Sequence, residues 1–148
     1  MKQNPEIDQG IALEEGSLYR RDPEQFSAVA WGFFVSNVFA QLTGSASKTL
    51  FAISTYTDKK YRSTLITNFT ISKCAGLNPD TVKKDLRELE YYHFIERHDV
   101  PGGTRKERVR KITLQRWDTA KEKLIKDKKV TLDTRGKVSI VTPNPYRK

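Results

Sequence analysis

Cysteine is nearly missing from this sequence, and so is histidine: Cys74 stands alone, and His93 and His98 are the two imidazoles. One thiol excludes an internal disulfide framework and leaves no cysteine cluster for structural zinc. Two histidines make a histidine-rich metal site equally hard to build. Long hydrophobic runs are missing too. The most apolar stretch, residues 26–42, is broken by Ser27, Gly32, Ser36, Asn37 and Gln41, and falls short of a membrane span. There is no signal-peptide pattern. No glycine-rich lysine loop points to a nucleotide phosphate site, and Gly102-Gly103 suits a hairpin tip better. The expectation is a soluble cytoplasmic protein with no membrane insertion, no metal and no cofactor.

What the chain does have is positive charge, unevenly placed. Its 148 residues carry a formal net charge of +9. Residues 1–58 hold four Lys/Arg against seven Asp/Glu, whereas residues 59–148 hold twenty-three against eleven. The excess over the C-terminal two-thirds favours a polyanionic partner, although charge alone does not separate DNA, RNA and acidic protein. The length suits one domain with extensions. These are a polar N-terminal arm (1–25), a domain with flanking helices (26–126) and a basic, weakly ordered C-terminal tail (127–148).

Apolar spacing supplies the elements. Trp31, Phe34, Val35, Val38, Phe39 and Leu42 recur at mostly three- and four-residue intervals, the pattern of a helix with a rich apolar stripe. A short strand around residues 33–35 is the alternative. Ser45 or Ser47 can cap a helix running to about Thr57. Leu65-Ile66 reads as a short buried strand or an apolar anchor. Thr70 opens a short helix with Ile71, Cys74 and Ala75 on its inner side, stopped by Gly76. Asn78 then offers a side-chain cap and Pro79 a preformed first residue for the next helix. Its core stripe is Val82, Leu86 and Leu89. Beyond Phe94-Ile95, alternating Arg110, Ile112 and Leu114 complete a hairpin over roughly 94–99 and 107–115. Residues 117–126 form a last helix. The fold class is mainly α with a small β-hairpin.

Short helix, tight turn, capped helix and basic hairpin follow one another in the order a duplex reader needs. A helix-turn-helix mounts its second helix in the major groove, while other contacts hold the backbones. Asn78, Asp80, Thr81, Lys83, Lys84 and Arg87 belong to the capped helix away from its core stripe. Lys84 and Arg87 are best placed for groove or backbone contacts. Thr81 can meet a base or phosphate, and Asp80 suits the helix dipole. Asp85, Glu88 and Glu90 are read as solvating or intrahelical-pair residues. On the hairpin, Arg105, Lys106, Arg108, Arg110 and Lys111 can follow phosphates or enter the minor groove. The bland readings are a solvated helix face and a hairpin whose charges discourage edge pairing. Helix and hairpin together favour DNA.

Residues 45–115 resemble a winged helix-turn-helix domain. The run TISKCAGLNPDTVKKDLRELEYYHFIER, residues 70–97, resembles the pattern shared by bacterial transcription regulators and by the N-terminal domains of plasmid and phage replication-initiation proteins. The resemblance implies that Thr70 opens the support helix, that Cys74-Ala75 fills its small buried positions and that Gly76-Leu77 makes the turn. Thr81-Val82 and residues 86–89 would fall in the recognition helix, with Arg105 and Lys106 at the wing tip. Residues 33–56 are similar to the lead-in of the replication-associated group. Tyr91-Tyr92-His93 departs from the small or glycine-containing turn usual before the wing.

The reading is a sequence-specific double-stranded DNA-binding protein serving transcription control or plasmid and phage replication, maintenance or conjugation. It binds without covalent chemistry. Homodimerisation through the aromatic N-terminal stripe or the last helix would lengthen the site read, and replication or conjugation proteins are further partners. The alternative is a non-catalytic assembly module of a nucleoprotein or conjugation complex. A nicking enzyme built on Tyr91, Tyr92 and His93 is the weakest class, because no histidine pair or acidic cluster accompanies them.

Overall fold

The computed structural model describes residues 29–58, 61–100 and 110–147. The stretch expected to be one helix is instead broken. Helix α1 spans Trp31–Val35, and a single 3-10 turn follows at Phe39–Gln41. Asn37, at φ 66°, takes the left-handed backbone that ends α1, a conformation asparagine tolerates better than most residues. Helix α2, Gly44–Tyr56, is capped by Thr43, whose hydroxyl accepts from the Ala46 N–H at 3.3 Å, rather than by Ser45 or Ser47.

Strand β1 (Ser63–Ile66) leads into helix α3 (Asn68–Ala75), then helix α4 (Pro79–Tyr91), strand β2 (Ile95–Asp99) and strand β3 (Arg110–Leu114). The strands form one antiparallel sheet in the order β1-β3-β2, with Ser63 opposite Thr113 and Ile95 opposite Leu114. The expected two-stranded hairpin is therefore part of a three-stranded sheet, closed by residues 63–66. Helix α5 (Trp117–Lys126) lies where the sequence places it.

Two details of α3 correct the sequence reading. It begins two residues early, because Thr67 is the cap and accepts from the Thr70 N–H at 3.1 Å. Its buried side is Thr70, Ile71 and Ser72, which leaves Cys74 exposed and not in a small buried position. Gly76 does end the helix at φ 69°, and the Leu77 N–H closes the turn on Ser72 O at 3.0 Å.

The residues read as a weakly ordered tail form a second hairpin, β4 (Val130–Leu132) with β5 (Val138–Ile140). Val130 and Val138 join the core, and Asn144 beyond them is buried. The fold is thus mixed α/β, with a three-stranded sheet and a separate two-stranded hairpin.

One core connects these parts. Phe33 stacks on Phe94 at 4.2 Å between ring centroids and meets Trp117 edge-on at 5.0 Å. Gly32 lies so close to the Trp117 indole that an added Cβ would fall 2.1 Å from Cδ1. A glycine is needed there for α1 to sit on α5.

Candidate nucleic-acid interface

Helix α4 starts as its sequence dictates. The Asn78 side-chain oxygen accepts from the Asp80 N–H at 2.8 Å, and Pro79 occupies the first turn, where a missing N–H leaves nothing unsatisfied. Asn78 is exposed, but its carbonyl oxygen is committed to the cap. Asp80, Lys83, Lys84 and Arg87 all lie exposed, and Thr81 is half-buried at the edge. Val82, Leu86 and Leu89 are fully buried, as their spacing predicts. The four exposed positions share one solvent-facing side because each turn of helix takes 3.6 residues.

The remaining acidic residues behave differently from the sequence reading. Asp85 is 1% exposed and Glu88 0% exposed, so neither solvates the helix. Asp85 accepts from Ser45 Oγ at 2.7 Å and Thr49 Oγ1 at 2.9 Å. Glu88 accepts from the Thr43 N–H at 2.7 Å, Thr43 Oγ1 at 2.8 Å and Asn144 Nδ2 at 3.1 Å. Neither carboxylate has a cationic hydrogen-bonding partner among these contacts. Burial raises the Asp85 carboxyl above its ordinary range; the two hydroxyl donors oppose this, Glu88 adds to it and Lys84 opposes it. Together these bonds fix the rotation of α4 against α2 and so decide which side of it faces outward. Glu90, half-buried, pairs with Arg97.

No periodicity argument could have found this mount. Charged residues at helical spacing read as solvent-facing unless their hydroxyl and amide partners, 36 to 56 residues away in the chain, are known.

The exit of α4 is a left-handed turn with His93, φ 60°, in the position glycine usually takes. The Phe94 N–H reaches back to Leu89 O at 2.9 Å and the His93 N–H to Glu90 O at 3.0 Å. That turn accounts for the unusual Tyr91-Tyr92-His93 sequence. Tyr92 is the buried cap and His93 pairs with Asp127 at 2.6 Å.

Of the hairpin residues, Arg105, Lys106 and Arg108 lie outside the described residues. Arg110 opens β3 opposite Asp99, with Nε 3.4 Å from Asp99 Oδ1. Its side chain is 24% exposed, and that charge is shared with a carboxylate. Lys111, the next residue, is exposed. The structure thus gathers Asp80, Lys83, Lys84 and Arg87 on one face, and sets Arg110 on the sheet.

Among the described residues no group of three His, Cys, Asp or Glu side chains is placed to hold a metal ion. No helix among them is long and apolar enough to cross a membrane. No protein-family model matches the chain, and neither a curated protein nor a solved structure matches it.

Proposed function

We propose that the protein is a sequence-specific double-stranded DNA-binding protein of winged helix-turn-helix type. In this reading α4 enters the major groove and the segment between β2 and β3 follows the backbone or minor groove. The observation that carries the reading is the split personality of α4. Lys83, Lys84 and Arg87 are exposed, while the rest of the helix is held by apolar packing and two buried carboxylates. A rigid mount behind a cationic face is what base readout requires. The order of α2, β1, α3, α4, β2 and β3 also agrees with the winged-helix resemblance of the sequence.

Binding without covalent chemistry is the mechanism proposed. The Tyr92 phenol is 1% exposed, and its pKa is pushed up to about 12 by burial, with Tyr91 and Glu88 adding to the shift. Both facts oppose its use as a strand-cleaving nucleophile. Transcription control and plasmid or phage replication, maintenance or conjugation are the processes this activity would serve, with a homodimer as the reading unit.

A second reading, an assembly module for replication or conjugation proteins, has one observation in its favour. Trp31 is 77% exposed and Val35 63%, beside a cavity of about 430 Å3 that Trp117, Lys121 and Lys137 also line. Apolar surface of that kind commonly serves protein contacts.

Selection of bound sequences from random duplex DNA, followed by affinity measurement across salt, tests the proposal. A reproducible motif with salt-dependent affinity supports a sequence-specific reader. Strong binding without enrichment points to the assembly role, and no duplex binding overturns the reading.

A further inference from the structure

The exposed face of α4 does not end at Arg87. Four residues further on, Tyr91 falls within roughly 40° of Arg87 around the helix axis. The Lys129 ammonium stands 3.7 Å from the centre of the Tyr91 ring and donates to Tyr91 O at 2.7 Å. The junction between α5 and β4 is therefore fastened onto the end of this face. It reads Lys126-Asp127-Lys128-Lys129, and its one carboxylate is already used by His93 at 2.6 Å and Lys129 at 3.3 Å. Lys126 and Lys128 remain exposed, with no ion pair among the described residues.

Length decides what this junction can meet. Thirteen helical residues extend about 20 Å, whereas the major groove is about 12 Å wide. A helix of that length whose N-terminal turns enter the groove and whose axis crosses it carries its last turn over a backbone strand. We propose that the DNA-contacting surface of α4 continues past Tyr91 onto the α5–β4 junction, where Lys126 and Lys128 contact phosphates bordering the groove. This extension rests on the duplex-binding reading. Lys129 and Tyr91 act as the fastening, and Lys126 and Lys128 supply the charge.

The test compares the full chain with a Lys126→Ala/Lys128→Gly variant on the duplex that the unaltered protein selects. Lys128 sits at φ 60°, so glycine suits its backbone. Loss of two phosphate contacts should flatten the plot of log affinity against log salt by about 1.8, with the selected motif unchanged. An unchanged slope and affinity on the same site would overturn the extension alone. Failure of the unaltered protein to bind any duplex would overturn it together with the DNA-binding reading. Should glycine loosen the hairpin in thermal unfolding, Lys126→Gln/Lys128→Asn removes the same charges and keeps a residue tolerant of this backbone. The same slope comparison then decides.

Discussion

His93 Nε2 lies 2.6 Å from Asp127 Oδ2, and the two residues sit at the exits of α4 and α5. His93 holds a left-handed backbone there without being glycine. Its side chain supplies a contact that glycine would forgo, and its backbone carries a strain that glycine would relieve. His93→Ala loses the contact and keeps the strain; His93→Gly loses the contact and sheds the strain. Chemical denaturation should therefore find His93→Gly about 1 kcal/mol more stable than His93→Ala.

Asp127 gives the same pair a pH signature. Its carboxyl is held below the ordinary range first by the His93 hydrogen bond, with Lys129 contributing and burial opposing. A depressed folded value means that its contribution is present above the ordinary carboxylate pKa and is lost as pH falls through the folded one. The stability advantage of the unaltered protein over Asp127→Asn should accordingly shrink on acidification below about pH 4. A constant difference from pH 7 to pH 2.5 would contradict this.

Asp85 should do the opposite. Its carboxyl is raised by burial, so the folded state takes up a proton more readily than the unfolded chain. That contribution is complete below the ordinary aspartate pKa and disappears as pH rises through the raised folded value. Measured against Asp85→Asn, the unaltered protein should gain stability as pH is lowered from 7 to 4. Opposite slopes for two aspartates in one fold are a stringent check on their surroundings.

Lys84→Ala/Arg87→Ala should leave the fold intact, because both side chains are exposed. On a selected duplex the expected loss is at least about tenfold in affinity, with relaxed sequence preference. Unfolding should stay within a few degrees of the parent. Arg105→Ala/Lys106→Ala should instead weaken all duplexes and lower the salt slope. Binding curves on matched and scrambled duplexes distinguish the two patterns.

Glu88→Ala removes the acceptor shared by Thr43 and Asn144 and leaves the buried Asn144 amide and the half-buried Thr43 donors without it. Unfolding free energy should fall by about 2–4 kcal/mol. Glu88→Gln keeps the volume and one acceptor, so its loss should be smaller. Equal losses for the two would show that the carboxylate's hydrogen bonds, and not the filled volume, dominate at this position.

The parts of the fold that were legible in the sequence depend on neighbours close along the chain. Asn78-Pro79 sets the start of α4, Gly76 the end of α3, and the Val82, Leu86 and Leu89 spacing the buried side. Residues 117–126 were legible for the same reason. What escaped depends on distant partners. The Cys74 assignment failed because the buried side of the helix is Thr70, Ile71 and Ser72, and the cysteine in its last turn is left exposed. Asp85 and Glu88 look like surface residues until α2 and Asn144 are brought beside them. The second hairpin has strands of only three residues, too short for alternation to stand out in a basic sequence. Lys83, Lys84 and Arg87 were legible as an outward face, since burial on one side of a helix exposes the other.

The stretch that resembles a winged helix, residues 45–115, is not where this protein could be cut. Thr43 and Asn144 lie on either side of it, and both donate to Glu88 from outside. Gly32 and Trp117, also outside, lock the flanking helices together. Trimming to the recognisable motif would strand a carboxylate in an apolar interior and, by removing Phe33, uncover Phe94. Any transplant of this domain onto another protein therefore has to carry its flanks with it, from α1 to Asn144.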